Sequence, residues 1–145
     1  MTTIYRSYKE IPANFVPYYT QVECCIEYEQ TQENLVFLTK KGKYWEYPTA
    51  LITPYAGGAR NVMLDALKPL IGNPPRPLQE LGTCYLVHDD NTSVAVVRYL
   101  LMIPQCIEAI ALTSTYSCHA WMSREKLLQE PLAPGLRERI LLTDT

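Results

Sequence analysis

The segment 93–103 constrains the fold more than any other part of the chain, because both of its alternating sets of side chains are apolar except at Arg98. Such a strand must be covered on both faces and flanked by neighbours, which predicts a central place in a sheet. The longest apolar stretch, 94–104, is interrupted by that arginine and is too short to cross a bilayer. Residues 81–88 read as its antiparallel partner, joined to it by the polar turn Asp89-Asp90-Asn91-Thr92.

An earlier pairing is predicted by a strand at 35–39, turn chemistry at Lys40-Lys41-Gly42-Lys43 and an aromatic arm, Tyr44-Trp45-Glu46-Tyr47, closed by Pro48. A further strand is expected at 22–28, after a polar, Tyr-rich lead-in. Residues 51–58 read as a loop holding Gly57-Gly58. It leads into a helix whose Val62, Met63, Ala66, Leu67, Leu70 and Ile71 share one face, stopped by Gly72-Asn73-Pro74-Pro75. Pro69 removes a backbone donor and crowds the Asp65 carbonyl, at about 3 kcal/mol in a helix interior, so the last turn is expected to kink or be lost. Residues 107–112 read as another strand. Ser123 caps a short helix through Glu130, broken by Pro131, and Pro134 opens a final helix with Leu136 and Ile140 facing inward. This mixed order predicts an α+β fold, an α/β sandwich with a helix packed on a mixed sheet.

Length fits this reading: 145 residues make one domain, 1–145, with 1–20 as a lead-in and 134–145 as a C-terminal helix. A formal charge of -2 and the lack of like-charge runs argue against a surface for duplex nucleic acid. Five cysteines, an odd number with no Cys-x-x-Cys spacing, suit a reducing compartment. The N-terminus lacks an apolar signal core, so a cytoplasmic protein without a membrane segment is expected.

From Gly42 through Trp45, Pro48 and Ala50 to the helix ending at Gly72, the chain resembles a Nudix hydrolase domain, as does the stretch from His119 and Trp121 through Ser123 to Leu127. The resemblance covers roughly residues 20–130 and implies a Nudix-like mixed sheet flanked by helices. It also raises the expectation of a homodimer. The family signature, G-x5-E-x7-R-E-U-x-E-E-x-G-U with U apolar, is largely missing. With Gly72 as anchor, the Arg-Glu pair becomes Asp65-Ala66 and the Glu-Glu pair Pro69-Leu70; with Ala50 as the first glycine, the pairs become Leu64-Asp65 and Lys68-Pro69.

Those carboxylates matter because the family's phosphoanhydride hydrolysis uses divalent metal, and Mg²⁺ requires several converging oxygen ligands. Asp65 is the sole acid between Pro48 and Gly72. Lys68 at about 4 Å from a divalent ion would add roughly 8 kcal/mol of repulsion at an effective dielectric of 20. No metal site and no catalytic residue are therefore expected, and no cofactor.

Five residues are candidates for ligand binding: Arg98, Trp45, Tyr47, Glu46 and Asp65. Arg98 is either half of an internal ion pair, with Glu46, Glu108 or another acid, or a fork for phosphate or carboxylate. Trp45 and Tyr47, with Tyr44 and Tyr55, are either core and rim packing or a platform for a base. Cys118-His119 are adjacent on a strand and point apart, which disfavours a thiol-imidazole pair. His88 with Asp89 and Asp90 has metal-ligand types but sits where a hairpin turn needs polar residues.

The expected function is a degenerate Nudix-like domain that binds a nucleotide-type ligand or a protein partner without metal-dependent hydrolysis. The alternatives are an active Mg²⁺-dependent hydrolase of nucleoside diphosphate derivatives, with ligands recruited from Glu46, Asp65 or Glu80, and a structural interaction module.

Overall fold

A computed structural model describes residues 2–55, 57–107 and 109–142. Its centre is the parallel pair formed by β2 (Tyr19–Tyr28) and β7 (Ser93–Ile103), in register from Tyr19↔Val94 to Tyr28↔Ile103. β6 (Gln79–Val87) lies antiparallel on the outer side of β7 and carries β1 (Thr3–Tyr5) on its far edge. The interior position expected of 93–103 is thus met, with β6 on one side and β2 on the other.

On its other side β2 is shared. Its first half pairs with β5 (Thr49–Leu51) and its second half with β3 (Asn34–Thr39). β3 in turn pairs with β4 (Trp45–Glu46) and β8 (Tyr116–Met122). The sheet therefore forks along β2, and Tyr47-Pro48 bridges the fork, the Pro48 carbonyl accepting from the Cys24 amide at 3.0 Å.

Helices cover both faces. α1 (Ala59–Ile71) buries Val62, Met63, Leu67 and Leu70 against Val22, Cys24 and Ile26 of β2 and Tyr99, Leu101 and Ile103 of β7. On the opposite face, α2 (Arg124–Leu127) and α3 (Leu136–Leu142) pack Leu127, Leu136 and Ile140 on Val36, Tyr47 and Met122. The architecture is the predicted α/β sandwich, a mixed eight-stranded sheet between helices. None of the helices is long and apolar enough to cross a membrane, among the described residues.

Several local expectations need correction. The last turn of α1 is kept despite Pro69: the Gly72 amide, at φ 76°, closes onto the Lys68 carbonyl at 3.0 Å, and Leu67 and Leu70 are held in the core. Tertiary burial there outweighs the lost donor. The loop expected at 51–58 begins later, because Thr49–Leu51 pair with β2. Residues 107 and 109–112 form no strand. Ile107 and Ile110 pack on the α1 core as irregular chain, and the Ala111 amide donates to the Leu70 carbonyl at 2.9 Å. The strand lies further on, at β8. The helix after Ser123, whose Oγ accepts from the Lys126 amide at 3.2 Å, is shorter than expected and ends at Leu127.

Candidate functional site

The fork in the sheet leaves a cleft of about 670 Å³ on the α3 face. One wall comes from Glu46 at the end of β4 and Thr49 at the start of β5, a second from Tyr18, Tyr19 and Gln21 leading into β2. The β6–β7 turn supplies His88, Asp89 and Asp90, and Arg139 of α3 reaches in beside Ala133 and Pro134. The turn is shaped for its place: the Asp90 carboxylate accepts from the Thr92 amide at 2.9 Å, and Asn91 takes the left-handed conformation at φ 66°. Those Thr92 contacts hold the Asp90 carboxyl below its ordinary range.

The charges in the cleft are not balanced for an anion. Burial pushes the Glu46 carboxyl up, opposed by the Tyr116 hydroxyl and by Arg139. Burial lowers the His88 pKa, as does the Arg139 charge, so the neutral imidazole is favoured. Arg139 itself is committed elsewhere: its Nε and Nη2 both donate to Glu23 Oε1, at 2.9 and 2.6 Å. Gly135, at φ +82°, lets the chain turn tightly here, since a Cβ would come within 3.0 Å of both Arg139 Nη1 and His88 Cε1.

Arg98 belongs to the same buried cluster. It lies directly across from Glu23 in the β2–β7 register, with Nε 3.6 Å from Glu23 Oε2, and its Nη2 donates to the Arg139 carbonyl at 3.3 Å. Its acid partner is thus Glu23 and not Glu46, while Glu108 lies outside the described residues. Neither Glu23 nor Arg139 was reached by sequence reasoning. The only signal was indirect: a buried arginine in a central strand demands an acid on the same face of a neighbouring strand.

The other candidates are dispersed. Glu46 lines the cleft. Tyr47 is buried at 4% exposure and its hydroxyl donates to Asn34 Oδ1 at 3.3 Å, so it offers no ring face to solvent. Trp45 is half-buried against the α3-side core and bridges to Leu132. Of the two readings of these rings, packing describes Tyr47 and Trp45, while Tyr44 and Tyr55 are exposed. The tyrosines that do border the cleft are Tyr18 and Tyr19, whose rings meet edge to face at 6.1 Å. Asp65 lies exposed on α1, away from the cleft lining.

No protein-family model matches the sequence, and no curated protein matches it. Solved structures do. The Nudix domain of Shewanella oneidensis NrtR, solved with ADP ribose, superposes with a TM-score of 0.70 at 19% identity, over 93% of this chain and 94% of that one. The E. coli dihydroneopterin triphosphate pyrophosphohydrolase gives 0.69 at 12% identity, over 88% and 97%. The C-terminal domain of mouse MUTYH, solved in complex with human PCNA, gives 0.62 at 18% identity, over 86% and 88%. This chain has the Nudix fold.

α1 is the helix on which the sequence resemblance puts the family signature, and the residues it carries do not fit a divalent ion. Its acid, Asp65, is exposed and is followed on the same face by Lys68 and Pro69. The relocated set does not assemble either. Glu80 pairs with Arg60 at 3.4 Å on the surface, Glu46 faces the cleft, and Asp65 stays on the helix exterior. Among the described residues no three His, Cys, Asp or Glu side chains converge as a metal site.

Proposed function

We propose that this Nudix-fold domain binds a nucleotide-type ligand in the cleft between Glu46, the β6–β7 turn and α3, and does not hydrolyse it by the metal-dependent route. The observation that carries this reading is the outer face of α1, where a lone exposed carboxylate is followed by a lysine and a proline. A Mg²⁺ ion needs several oxygens in strict geometry, and that face supplies one. The ADP-ribose complex of the S. oneidensis domain supports a ligand of this class. Glu46, Asp89 and Asp90 favour the hydrogen-bond-donating base end of such a molecule over its phosphates, with Tyr18 and Tyr19 available for stacking.

A protein partner is the second reading. It is favoured by Val16 and Tyr18, both largely exposed beside the cleft mouth, and by the MUTYH domain solved with PCNA.

The test is a panel of nucleosides, nucleoside diphosphates and nucleotide sugars, with and without Mg²⁺ or Mn²⁺, read by thermal shift and by phosphate release. The expected result is a metal-independent rise in the unfolding midpoint for at least one compound, about 2.7 kcal/mol of stabilisation at a hundredfold excess over Kd, without phosphate release. Metal-dependent turnover of any compound defeats the proposal.

A further inference from the structure

β8 forms the outer edge of the sheet beside β3, and the direction of its main-chain groups follows from its neighbour. The Glu33 carbonyl, just before β3, accepts from the Tyr28 amide at 2.9 Å, and the Thr39 amide donates to the Tyr44 carbonyl at 2.8 Å. By alternation the odd-numbered residues of β3 face β2 and β4, while Asn34, Val36 and Leu38 face β8, in register with Met122, Ala120 and Cys118. His119 and Trp121 are left with amide and carbonyl turned outward. No main-chain group of another strand or loop meets them among the described residues.

The other edges are blunted, by cover, brevity, charge or a bulge. The outer side of β4 is covered: the Trp45 amide donates to the Pro131 carbonyl at 2.9 Å and the Trp45 carbonyl accepts from the Ala133 amide at 3.1 Å. β1 and β5 are three residues each. The stretch of β6 that β1 leaves unpaired, 79–84, carries the exposed Glu80 and a bulge beside Gly82, at φ +91°. β8, in contrast, contains no Asp, Glu, Lys, Arg or Pro. Its register shift falls opposite Leu38/Thr39, which leaves 118–122 regular. The approach is clear, since His119 is exposed and the Trp121 ring lies back on Tyr28, centroids 6.2 Å apart.

We propose that β8 pairs antiparallel with β8 of a second copy of this chain, about a two-fold axis at Ala120, making one continuous sheet across a dimer. That register sets His119 opposite the partner's Trp121 and Trp121 opposite the partner's His119, so that both outward-facing residues are paired, through about four hydrogen bonds. Ala120, a small residue, stands on the axis, where the strands approach most closely. A second copy brings a strand already extended and uncharged: no like charges are set face to face, and none of the ordering cost of a loose peptide is incurred. β8 lines none of the cleft, so the pairing is independent of ligand binding there.

The experiment is sedimentation velocity on the full chain from micromolar to millimolar concentration. A reversible monomer–dimer shift is expected, because an edge pairing this small dissociates on dilution. His119→Pro removes an outward amide and no bond to β3, and is expected to weaken self-association roughly tenfold or more with the unfolding midpoint kept. His119→Lys, which sets a charge on the same edge, is expected to do likewise. Ala120→Cys is expected to give a disulfide-linked dimer under mild oxidation, since paired Cα atoms at about 4.5 Å are within reach of such a bond. The wild type, whose Cys118 faces the partner's Met122 in this register, is expected not to link. A chain that stays monomeric throughout overturns the proposal and leaves the edge to an extended segment of another protein. A dimer that both His119 variants leave unchanged, or an Ala120→Cys chain that links no more than the wild type, overturns it equally.

Discussion

Glu23 sits between two guanidiniums that arrive from distant parts of the chain, Arg98 from β7 and Arg139 from α3, and it is only 2% exposed. Removing the central charge of such a group takes from two buried cations the carboxylate that both of them face. Glu23→Gln is expected to cost about 3–5 kcal/mol, measured by denaturant unfolding. That is a large share of the about 5–15 kcal/mol that holds a typical domain together. Replacing the whole cluster with apolar residues of similar volume, Glu23→Leu with Arg98→Leu and Arg139→Met, is expected to leave stability unchanged or higher by about 1–4 kcal/mol. If the single variant unfolds at the wild-type midpoint, the cluster is not the structural tie described. At this scale the sequence exposed Arg98 as a residue in need of an acid, but a partner one strand away cannot be read without knowing that β2 and β7 lie side by side in parallel.

Among the elements, α1 is the most informative, because its last turn persists around a proline. The missing donor leaves the Asp65 carbonyl without its intrahelical partner, and Pro69 is exposed, so little packing depends on the ring. Pro69→Ala is expected to stabilise the domain by about 1–3 kcal/mol, seen as a higher unfolding midpoint. It should leave the binding behaviour of the cleft as it was, because α1 lines none of it. Apolar patterning made the long elements readable. β3 and β7 announce themselves as apolar runs, interrupted in β7 at Arg98, and α1 through the helical spacing of its apolar face, whereas β5 is a three-residue strand formed where it pairs with the first half of β2. The run expected as a strand at 107–112 misled for the converse reason: Ile107 and Ile110 are apolar because they pack on the core beneath α1, which a loop can do as well as a strand.

For the molecule as a whole, the buried titratable groups pull stability in opposite directions with pH. His88 has a folded-state pKa below its ordinary 6.5, through burial and the Arg139 charge, so the native state binds fewer protons than the unfolded chain. Its contribution is present above pH 6.5 and is lost as pH falls through the lowered folded value. Glu27 and Glu46 have folded values above 4.5, mainly through burial, so their contribution is present below that pH and lost as pH rises through the raised values. Between about pH 7 and about pH 5, His88→Gln is expected to abolish the acid-side loss and leave a flat or rising profile in urea midpoints. A variant that loses stability on acidification as steeply as the wild type would remove His88 from this account. Of the residues lining the candidate cleft, Glu46 was a binding candidate in the sequence and 88–90 read as a hairpin turn; the boundaries of the cleft come from the branching of the sheet, which no single stretch of residues encodes.

The parallel pairing of β2 with β7 also sets a schedule for the protein during synthesis. A nascent chain that has emerged only as far as α1 holds β2 with one flank open and Glu23 still without Arg98 and Arg139. Translation of β7 closes that flank and delivers the first guanidinium; α3, which follows β7 in the chain, delivers the second. Ribosome-bound fragments stopped before residue 93 should therefore remain open to proteases and chaperones, and protection should come in two steps, the later one waiting for α3.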